Sequence, residues 1–517
     1  MRIVALSFVP LVTHWAFGYC ARHSQTMSIL IGIDLGTTVL KAAALDGRTG
    51  RVRAIAARRL AVRTEADGTR EQNLRDLDRG LEAVMRELRS QLGRQWTQVA
   101  GLGLAAQGGS FTICNRDTGE PLTPMRLWSD QRPLRLVSKV AALRPVSYWQ
   151  RLAFNAGPGL GLAKMLWLRE QDPGLFADSN IYVGAGEYAM FRLTGQWRQD
   201  AGNALQIGCY HVPRRALDPE PLSLVDVPLS FVAPMREGHG ALTLSAATAS
   251  RWGLPAGLPV AGPYFDHEAG YLSTMGVLRR PLLCSLGTAW VGSLALANPP
   301  RSPNQLLVPA PHNDGWLTVQ ALMTGNVTWD WALATFVGGS HVSALRRAAE
   351  IFHERLLPPP GMIALPWMHL MNPFKRDATG AGGFFGGGVT ATREDFVRVV
   401  ALSMTYEMYR IFHQVRDQRK ADGVVLAGGA SKGACFRTFL AALFAPLPVY
   451  AMQEEDLTGM RGCLYGLSRQ VAAGKARRVP VPARAVVERI REGSEIYGEI
   501  FNRMLGQEGI TPLEFDS

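Results

Sequence analysis

The residues Asp34-Leu35-Gly36-Thr37-Thr38 place a carboxylate, a glycine and two hydroxyl groups directly after an apolar stretch that begins at Ile29. The apolar residues predict a buried strand that delivers Asp34 at its end. Gly36 permits a tight turn and the close approach of a ligand. Thr37 and Thr38 supply hydroxyl and backbone N–H donors that suit phosphate oxygens. Lys41 adds positive charge, and Asp34 is a candidate ligand of Mg²⁺ through water, because Mg²⁺ keeps much of its hydration shell. The alternative is an ordinary β-hairpin.

Two further glycine-containing turns suit a nucleotide. Gly287-Thr288 connects two apolar stretches in a second hairpin, so that two facing Gly-Thr loops would hold a polyphosphate from both sides. Gly428-Gly429 follows the apolar residues 423–427. A glycine pair there lets a flat ligand lie against the backbone before a helix begins. Taken alone, each is equally consistent with an ordinary turn.

Asp266 and His267 follow a predicted strand that contains Gly262, at the expected start of a helix. A carboxylate beside a substrate hydroxyl can accept its proton while the oxygen attacks phosphorus. The alternative is that Asp266 only caps the helix, which is a favoured position for aspartate. His267 and Glu268 have no third ligand nearby in the sequence, so we predict no metal site formed by these two residues.

A third group of side chains suits a carbohydrate. Gln107, Trp128 and Asp130 lie in two short segments, QGG and WSDQR. Amide and carboxylate groups pair with hydroxyls, and an indole ring stacks on the apolar face of a sugar. The alternative is a core tryptophan beside a surface Asp–Arg pair.

The elements that position these residues alternate between strands and helices. From residue 29 onwards the pattern predicts three strands, and residues 71–94 carry apolar side chains at helical spacing. The hairpin at 281–296 opens a second set, followed by a helix at 393–417 and a strand at 423–427. This alternation predicts an α/β fold. The two hairpin openings suggest two related domains.

The composition is that of a globular protein. Of 517 residues, 47% are hydrophobic and 19% are charged, which argues against general disorder. The formal net charge is +12, from 55 Lys and Arg against 43 Asp and Glu. No dense basic run is interleaved with aromatic residues, so we expect a solvated surface rather than binding to nucleic acid. No segment is long and apolar enough to predict a membrane span.

Cysteine spacing and the first residues bear on localisation. The six cysteines form no CxxC pair and no Cys/His cluster, which predicts neither a disulfide framework nor zinc and favours the cytoplasm. Residues 1–27 precede the first clear strand, and Met27 lies at their end. We interpret them as an over-extended start rather than as part of the fold, with an export signal as the alternative.

The order of these motifs resembles that of the FGGY carbohydrate kinases, within the fold group of sugar kinases, actin and heat-shock chaperone ATPases. The resemblance covers most of residues 28–475. IGIDLGTT and SLGTAWVGS resemble the two phosphate motifs of the family, and VVLAGGASKGA resembles its adenosine motif. WSDQR and RLTG resemble the stretches on the sugar side, and Asp266 stands where the family has its catalytic base.

The resemblance implies two RNase H-like (actin-like ATPase) domains with an interdomain cleft, and phosphoryl transfer from MgATP to a small sugar, ketose or polyol. Asp266 would be the general base, and Asp34 would organise Mg²⁺. The cofactor-binding residues would be Asp34, Gly36, Thr37, Thr38, Lys41, Gly287, Thr288, Gly428 and Gly429. Gln107, Trp128, Asp130, Asp266 and His267 would line the sugar site. A homodimer is also common in the family.

The predicted boundaries are an N-terminal extension at 1–27, a sugar-binding domain at 28–277, an ATP-binding domain at 278–490 and a tail at 491–517. The chain departs from the family around the base, where Pro263, Tyr264, Phe265 and His267 replace small residues. Ala442 replaces an aspartate that often follows the adenosine motif. A catalytically silent sugar or nucleotide sensor is therefore the first alternative, and an ATPase that acts on protein is the second.

Overall fold

A computed structural model describes residues 28–299, 306–310, 315–322, 324–368, 371–372, 375–416 and 421–506. The predicted extension at 1–27 lies outside these residues. The α-helices of the described part are α1 (Leu74–Leu92), α2 (Val137–Ala141), α3 (Val146–Ala153), α4 (Leu160–Gln171), α5 (Ala185–Thr194), α6 (Ala201–Ile207), α7 (Pro219–Ser223), α8 (Ala246–Trp252), α9 (Asp266–Thr274), α10 (Asn326–Ala332), α11 (His341–Glu354), α12 (Arg393–Arg416), α13 (Ala434–Phe444), α14 (Thr458–Gly462), α15 (Arg469–Ala472) and α16 (Arg484–Gly506).

The first half of the chain is built on a six-stranded sheet. Its order is β5-β6-β4-β1-β2-β3. The first three strands pair antiparallel, β1 pairs parallel with β4, and β4 pairs parallel with β6. The strands are β1 (Ile29–Leu35), β2 (Val39–Asp46), β3 (Val52–Arg59), β4 (Val99–Ala106), β5 (Ala241–Thr243) and β6 (Pro259–Phe265).

The second half repeats this arrangement with one additional edge strand. Its sheet has the order β9-β10-β8-β7-β11-β12-β13, in which β7 pairs antiparallel with β8 and parallel with β11. Two sheets with the same succession of antiparallel and parallel pairs confirm the predicted α/β fold with two RNase H-like units. The strands are β7 (Pro281–Leu286), β8 (Trp290–Leu296), β9 (Leu306–Pro309), β10 (Trp316–Ala321), β11 (Gly423–Ala427), β12 (Val449–Met452) and β13 (Ala476–Val479).

Helix α14 of the second half packs against the first sheet. A Cβ atom on Gly32 of β1 would overlap the backbone of Met460, and one on Gly103 of β4 would overlap the carbonyl of Cys463. The absence of side chains at these two positions therefore lets the helix approach the sheet backbone. This contact ties the C-terminal part of the chain to the strand that carries Asp34.

The predicted tail is wrong for residues 491–506, because they continue helix α16. Tyr497 and Phe501 are buried in the core of the second half, so this helix belongs to the fold. The division between the two domains at residues 277 and 278 stays a prediction. Among the described helices, none combines the length and the apolar character that crossing a membrane requires.

Candidate active site

Asp34 lies near the C-terminal end of β1, and its cross-strand neighbour on β2 is Lys41. The side chain keeps some accessible surface, although protein atoms surround it on most sides. Burial raises its pKa to about 6, the charge of Asp266 adds to this rise, and Lys41 opposes it. Asp34 and Asp266 are therefore close enough to repel each other, with one ammonium group nearby.

Helix α14 packs against the carboxylate of Asp34. A Cβ atom on Gly459 would overlap Oδ2 of Asp34, so the helix backbone lies directly on this side chain. Gly459 was not among the residues predicted from the sequence, because no spacing rule connects it to Asp34. The structure adds Gly459 to the site as a residue whose small size shapes the surroundings of the carboxylate.

Three side chains connect the first phosphate hairpin with the predicted sugar segments. Trp128 Nε1 donates a hydrogen bond to Oγ1 of Thr37 over 3.2 Å. The same hydroxyl donates to Oε1 of Gln107 over 2.7 Å. The other amide atom of Gln107, Nε2, is buried and has no hydrogen-bond partner among the described residues. Trp128 is 51% exposed, so its ring is available to a ligand. A buried unpaired N–H donor indicates a missing acceptor.

Asp266 is the first residue of α9, and the N-cap position belongs to Phe265. The backbone N–H of His267 donates to Oδ1 of Asp266 over 2.8 Å, and Nε2 of His267 lies 3.9 Å from the same oxygen. The side chain of Asp266 is 35% exposed. Asp266 is therefore not the N-cap residue of this helix, which was the alternative to a catalytic role. Its carboxylate remains accessible to a substrate.

The second half contributes the turns around Gly287 and Gly428. Gly428 has φ 84°, and a Cβ atom there would lie 2.7 Å from the carbonyl carbon of Leu286 and 2.8 Å from N of Gly287. The two predicted nucleotide turns are therefore in direct backbone contact. Thr288 is exposed beside them.

Asn326 is a residue of this region that sequence reasoning did not identify. Its Oδ1 accepts a hydrogen bond from Nε1 of Trp290 over 3.0 Å, and its Nδ2 donates to the carbonyl oxygen of Leu286 over 3.4 Å. A Cβ atom on Gly429 would lie 3.8 Å from the same Nδ2. Asn326 thus links the two nucleotide turns. The sequence feature that could have identified Asn326 is its position directly after Gly325 in the segment TGN.

Comparisons with known proteins agree with this geometry. Residues 29–273 match the model of the FGGY family of carbohydrate kinases, N-terminal domain. The chain belongs to this family. It is 23% identical to xylulose kinase of Bacillus subtilis (strain 168) over 81% of this chain and 84% of that protein. It is 26% identical to xylulose kinase of Escherichia coli (strain K12) over 80% and 84%. The crystal structure of gluconate kinase from Lactobacillus acidophilus superposes with a TM-score of 0.79, 19% identity and coverage of 94% and 99%.

As a member of this family, the chain is a phosphotransferase with an alcohol group of a sugar or polyol as acceptor. Kinases of this family use ATP. The predicted family, fold and enzyme class are thereby confirmed, while the role of each site residue is a matter for proposal.

Asp130, which was predicted to line the sugar site, is buried in a network of ion pairs. It is 2% exposed, and both of its oxygens accept hydrogen bonds from Arg132, at 3.0 and 2.6 Å. Oδ2 also accepts from the backbone N–H of Arg70, and Arg132 pairs with Glu71 at 2.6 Å. A carboxylate engaged in this way has little capacity left for a sugar hydroxyl. Its observed contacts hold together the segment that carries Trp128, so direct sugar contact by Asp130 is not supported.

Residues missed by the sequence analysis hold the loop at Gly109. Oδ1 of Asn203 accepts a hydrogen bond from the backbone N–H of Gly109 over 3.1 Å, and Nζ of Lys164 donates to its carbonyl oxygen over 2.5 Å. The amide of Gln206 fills the space where side chains at Gly108 and Gly109 would lie. These contacts join α4 and α6 to the loop that follows Gln107.

A buried acidic pair lies behind this loop. Oε1 of Glu187 accepts from Nδ2 of Asn203 over 2.7 Å, and Asp200 caps α6 by accepting from the backbone N–H of Asn203 over 2.9 Å. Burial raises the pKa of Glu187 to about 8, and the charge of Asp200 adds to this rise. Burial likewise raises the pKa of Asp200 to about 7. Glu187 therefore keeps its proton at neutral pH.

The surroundings of Asp34 fit a magnesium ion bound through few protein ligands. No group of three or more His, Cys, Asp or Glu side chains among the described residues could hold a metal ion by itself. Mg²⁺ is commonly bound by one or two carboxylates, with waters and substrate phosphates completing its octahedron. A cation between Asp34 and Asp266 would also offset the repulsion that contributes to the raised pKa of Asp34.

Proposed function

We propose that the chain transfers the γ-phosphoryl group of MgATP to a hydroxyl of a small sugar, ketose or polyol, with Asp266 as the general base. The observation that carries this proposal is the position of Asp266. Its accessible carboxylate begins α9 and is near enough to Asp34 to raise the pKa of that residue. A base for the acceptor hydroxyl and a carboxylate for the metal are thus neighbours.

In this proposal the chain positions reactants and provides fixed charges. Asp266 accepts the proton of the attacking hydroxyl. MgATP would supply the phosphoryl group, and Asp34 would hold its ion through water. Gly36, Thr37, Thr38 and Lys41 bind the phosphates from the first half, and Gly287 and Thr288 bind them from the second. Gly428 and Gly429 receive the adenosine, and Gln107, Trp128 and His267 bind the sugar.

The contact between Thr37 and Gln107 supports this assignment, because it joins the phosphate hairpin to the sugar segment through one hydroxyl. The accessible ring of Trp128 is suited to stacking on a sugar. Closure of the two halves would exclude water and limit the hydrolysis of ATP. The relatives named above act on xylulose or gluconate, which supports a ketose, polyol or sugar acid as substrate. A homodimer remains an expectation from the family.

The test is an ADP-release assay with MgATP, coupled to a reporter enzyme, across pentuloses, hexuloses, polyols and aldonates. We expect sugar-dependent ADP release for at least one compound and a phosphorylated product of the corresponding mass. Binding of sugar and ATP with no transfer to any compound would contradict the proposal. That result would favour the catalytically silent sensor.

A further inference from the structure

A second cavity, of about 690 Å³, lies where the chain passes from the first half to the second. Residues 275–280 connect helix α9 with strand β7, and they line one side of this cavity. The backbone N–H of Ala295 in β8 donates a hydrogen bond to the hydroxyl of Tyr271 in α9 over 3.3 Å, and both residues belong to the lining. The two halves therefore meet here. The volume is within the range of small-molecule sites, about 300–1,000 Å³.

This cavity is separate from the candidate active site. Helix α9 begins with Asp266, and only its C-terminal part lines the cavity, through Tyr271 and Leu272. None of the residues assigned above to the sugar, the phosphates, the adenosine or the metal belongs to the described lining. A ligand in this cavity would therefore bind without displacing a substrate.

Two arginines from distant parts of the chain bring uncompensated positive charge to this cavity. Arg279 precedes β7, Arg469 begins α15, and both side chains are exposed. Among the described residues, neither has a carboxylate oxygen within 4.0 Å. The third arginine of the lining, Arg280, pairs with Asp422 at 2.8 Å. No acidic residue belongs to the described lining, so the field in this concave space favours an anion.

Much of the remaining wall is apolar. Leu272, Val277 and Leu278 contribute aliphatic side chains, and Tyr465 contributes a ring. The guanidinium group of Arg469 lies over this ring, 5.2 Å from its centre. Apolar surface of this kind stabilises the organic part of a ligand by removing it from water, and it gives nothing to an inorganic ion. The cavity thus combines anion recognition with an apolar surface.

We propose that this cavity binds a phosphate ester, whose phosphate pairs with Arg279 and Arg469 and whose organic part packs against the apolar walls. A phosphate monoester carries close to two negative charges at neutral pH, which two unpaired guanidinium groups match better than they match a single carboxylate. The planar guanidinium group also presents its donors in a fork that fits phosphate oxygens. Sugar phosphates and nucleotides share this chemistry. The inference goes beyond the proposed function, and its test needs no phosphoryl transfer.

The experiment is isothermal titration of the full chain, free of nucleotide, with ribose 5-phosphate, AMP and inorganic phosphate. AMP contains ribose 5-phosphate and adds an adenine, so the pair separates the two sources of the ester. The affinity that belongs to this cavity is the part lost in Arg279→Gln and in Arg469→Gln. We expect each variant to weaken the binding of at least one ester about tenfold or more, the scale for hydrogen bonds to a charged group.

Arg346→Gln is the matched control, because Arg346 on α11 is exposed, has no ion pair among the described residues and does not line the cavity. It should change the affinity less than twofold. A loss for both esters would assign the sugar phosphate, and a loss for AMP alone would assign the nucleotide. Both arginine variants replace exposed side chains, and circular dichroism will verify their folding. Ester affinities that are equal in wild type and in both arginine variants would overturn the inference, as would inorganic phosphate that binds as tightly as the esters.

Discussion

The hydroxyl of Thr37 donates a hydrogen bond to Oε1 of Gln107 over 2.7 Å, although the two residues are 70 positions apart in the chain. Thr37 belongs to the hairpin between β1 and β2, and Gln107 directly follows β4. The two strands β1 and β4 are parallel neighbours, so residues at their ends meet at the same edge of the sheet. The predicted phosphate and sugar sites are therefore in contact through one hydroxyl.

Thr37→Val should therefore weaken both sites. Valine keeps the shape and removes the hydroxyl, which leaves Oε1 of Gln107 and Nε1 of Trp128 without this partner. We expect the KM for the sugar to rise about threefold to tenfold, the usual scale for one hydrogen bond, together with the KM for MgATP. Steady-state kinetics with each substrate varied will measure both.

Thr38→Val is the matched comparison for Thr37→Val. Thr38 is exposed. We expect its variant to raise the KM for MgATP while the KM for the sugar stays unchanged. Equal effects of the two variants on the sugar would show that the contact between Thr37 and Gln107 does not support the sugar site.

Asp266→Asn should fold normally and lose about 10²-fold or more in turnover, because a positioned base contributes about this much to phosphoryl transfer. The amide keeps the size of the side chain and cannot accept the proton. Single-turnover kinetics at saturating MgATP will isolate the effect on the chemical step. Asp117→Asn, at an exposed turn, serves as the control. Turnover close to wild type in Asp266→Asn would exclude it as the base.

Gly428→Ala should destabilise the protein, because φ 84° is strained for alanine and the new Cβ would press on Leu286 and Gly287. We expect a cost of about 2 kcal/mol in the free energy of unfolding and a higher KM for MgATP. Gly429→Ala is the control, since its Cβ would meet only Nδ2 of Asn326 at an ordinary 3.8 Å. Urea unfolding of both variants will compare them. Equal stability would contradict the close contact of the two turns.

Glu187→Gln should change how stability depends on pH. Burial raises the pKa of Glu187 to about 8 in the folded state, against about 4.3 for an exposed glutamate. Its contribution to stability is fully present below about pH 4.3 and is lost as the pH rises through about 8. Glutamine imitates the protonated form and keeps the acceptor for Nδ2 of Asn203. The variant should therefore gain stability over wild type as the pH rises.

Thermal unfolding at pH 5.0 and pH 8.5 will test this expectation. One unit of pKa shift corresponds to about 1.4 kcal/mol, so we expect the Tm of Glu187→Gln to exceed that of wild type by at least about 2–4 °C at pH 8.5. The difference should be smaller at pH 5.0. Glu220→Gln, at a half-exposed carboxylate, should show no such dependence. A variant less stable than wild type at pH 8.5 would show that the ionised group is favoured in the fold.

The elements and the order of the motifs could be predicted from the sequence alone. The apolar stretch before Asp34 is β1, the helix predicted at 71–94 is α1, and the helix predicted at 393–417 is α12. The strand at 423–427 is β11, with the bounds expected. These features follow from periodicity and turn residues, which act over a few neighbouring positions and can therefore be read locally.

The partners of the polar side chains could not be predicted in this way, because they depend on tertiary contacts. Asp130 follows Trp128 in the sequence as a sugar ligand would, yet Arg132 and the backbone of Arg70 engage its oxygens. Lys164 is buried and donates to the carbonyl oxygen of Gly109, and Gly459 lies on Asp34 from the far end of the chain. Hydrogen bonds and burial depend on residues that are distant in the chain, so their outcome is settled by packing and not by spacing.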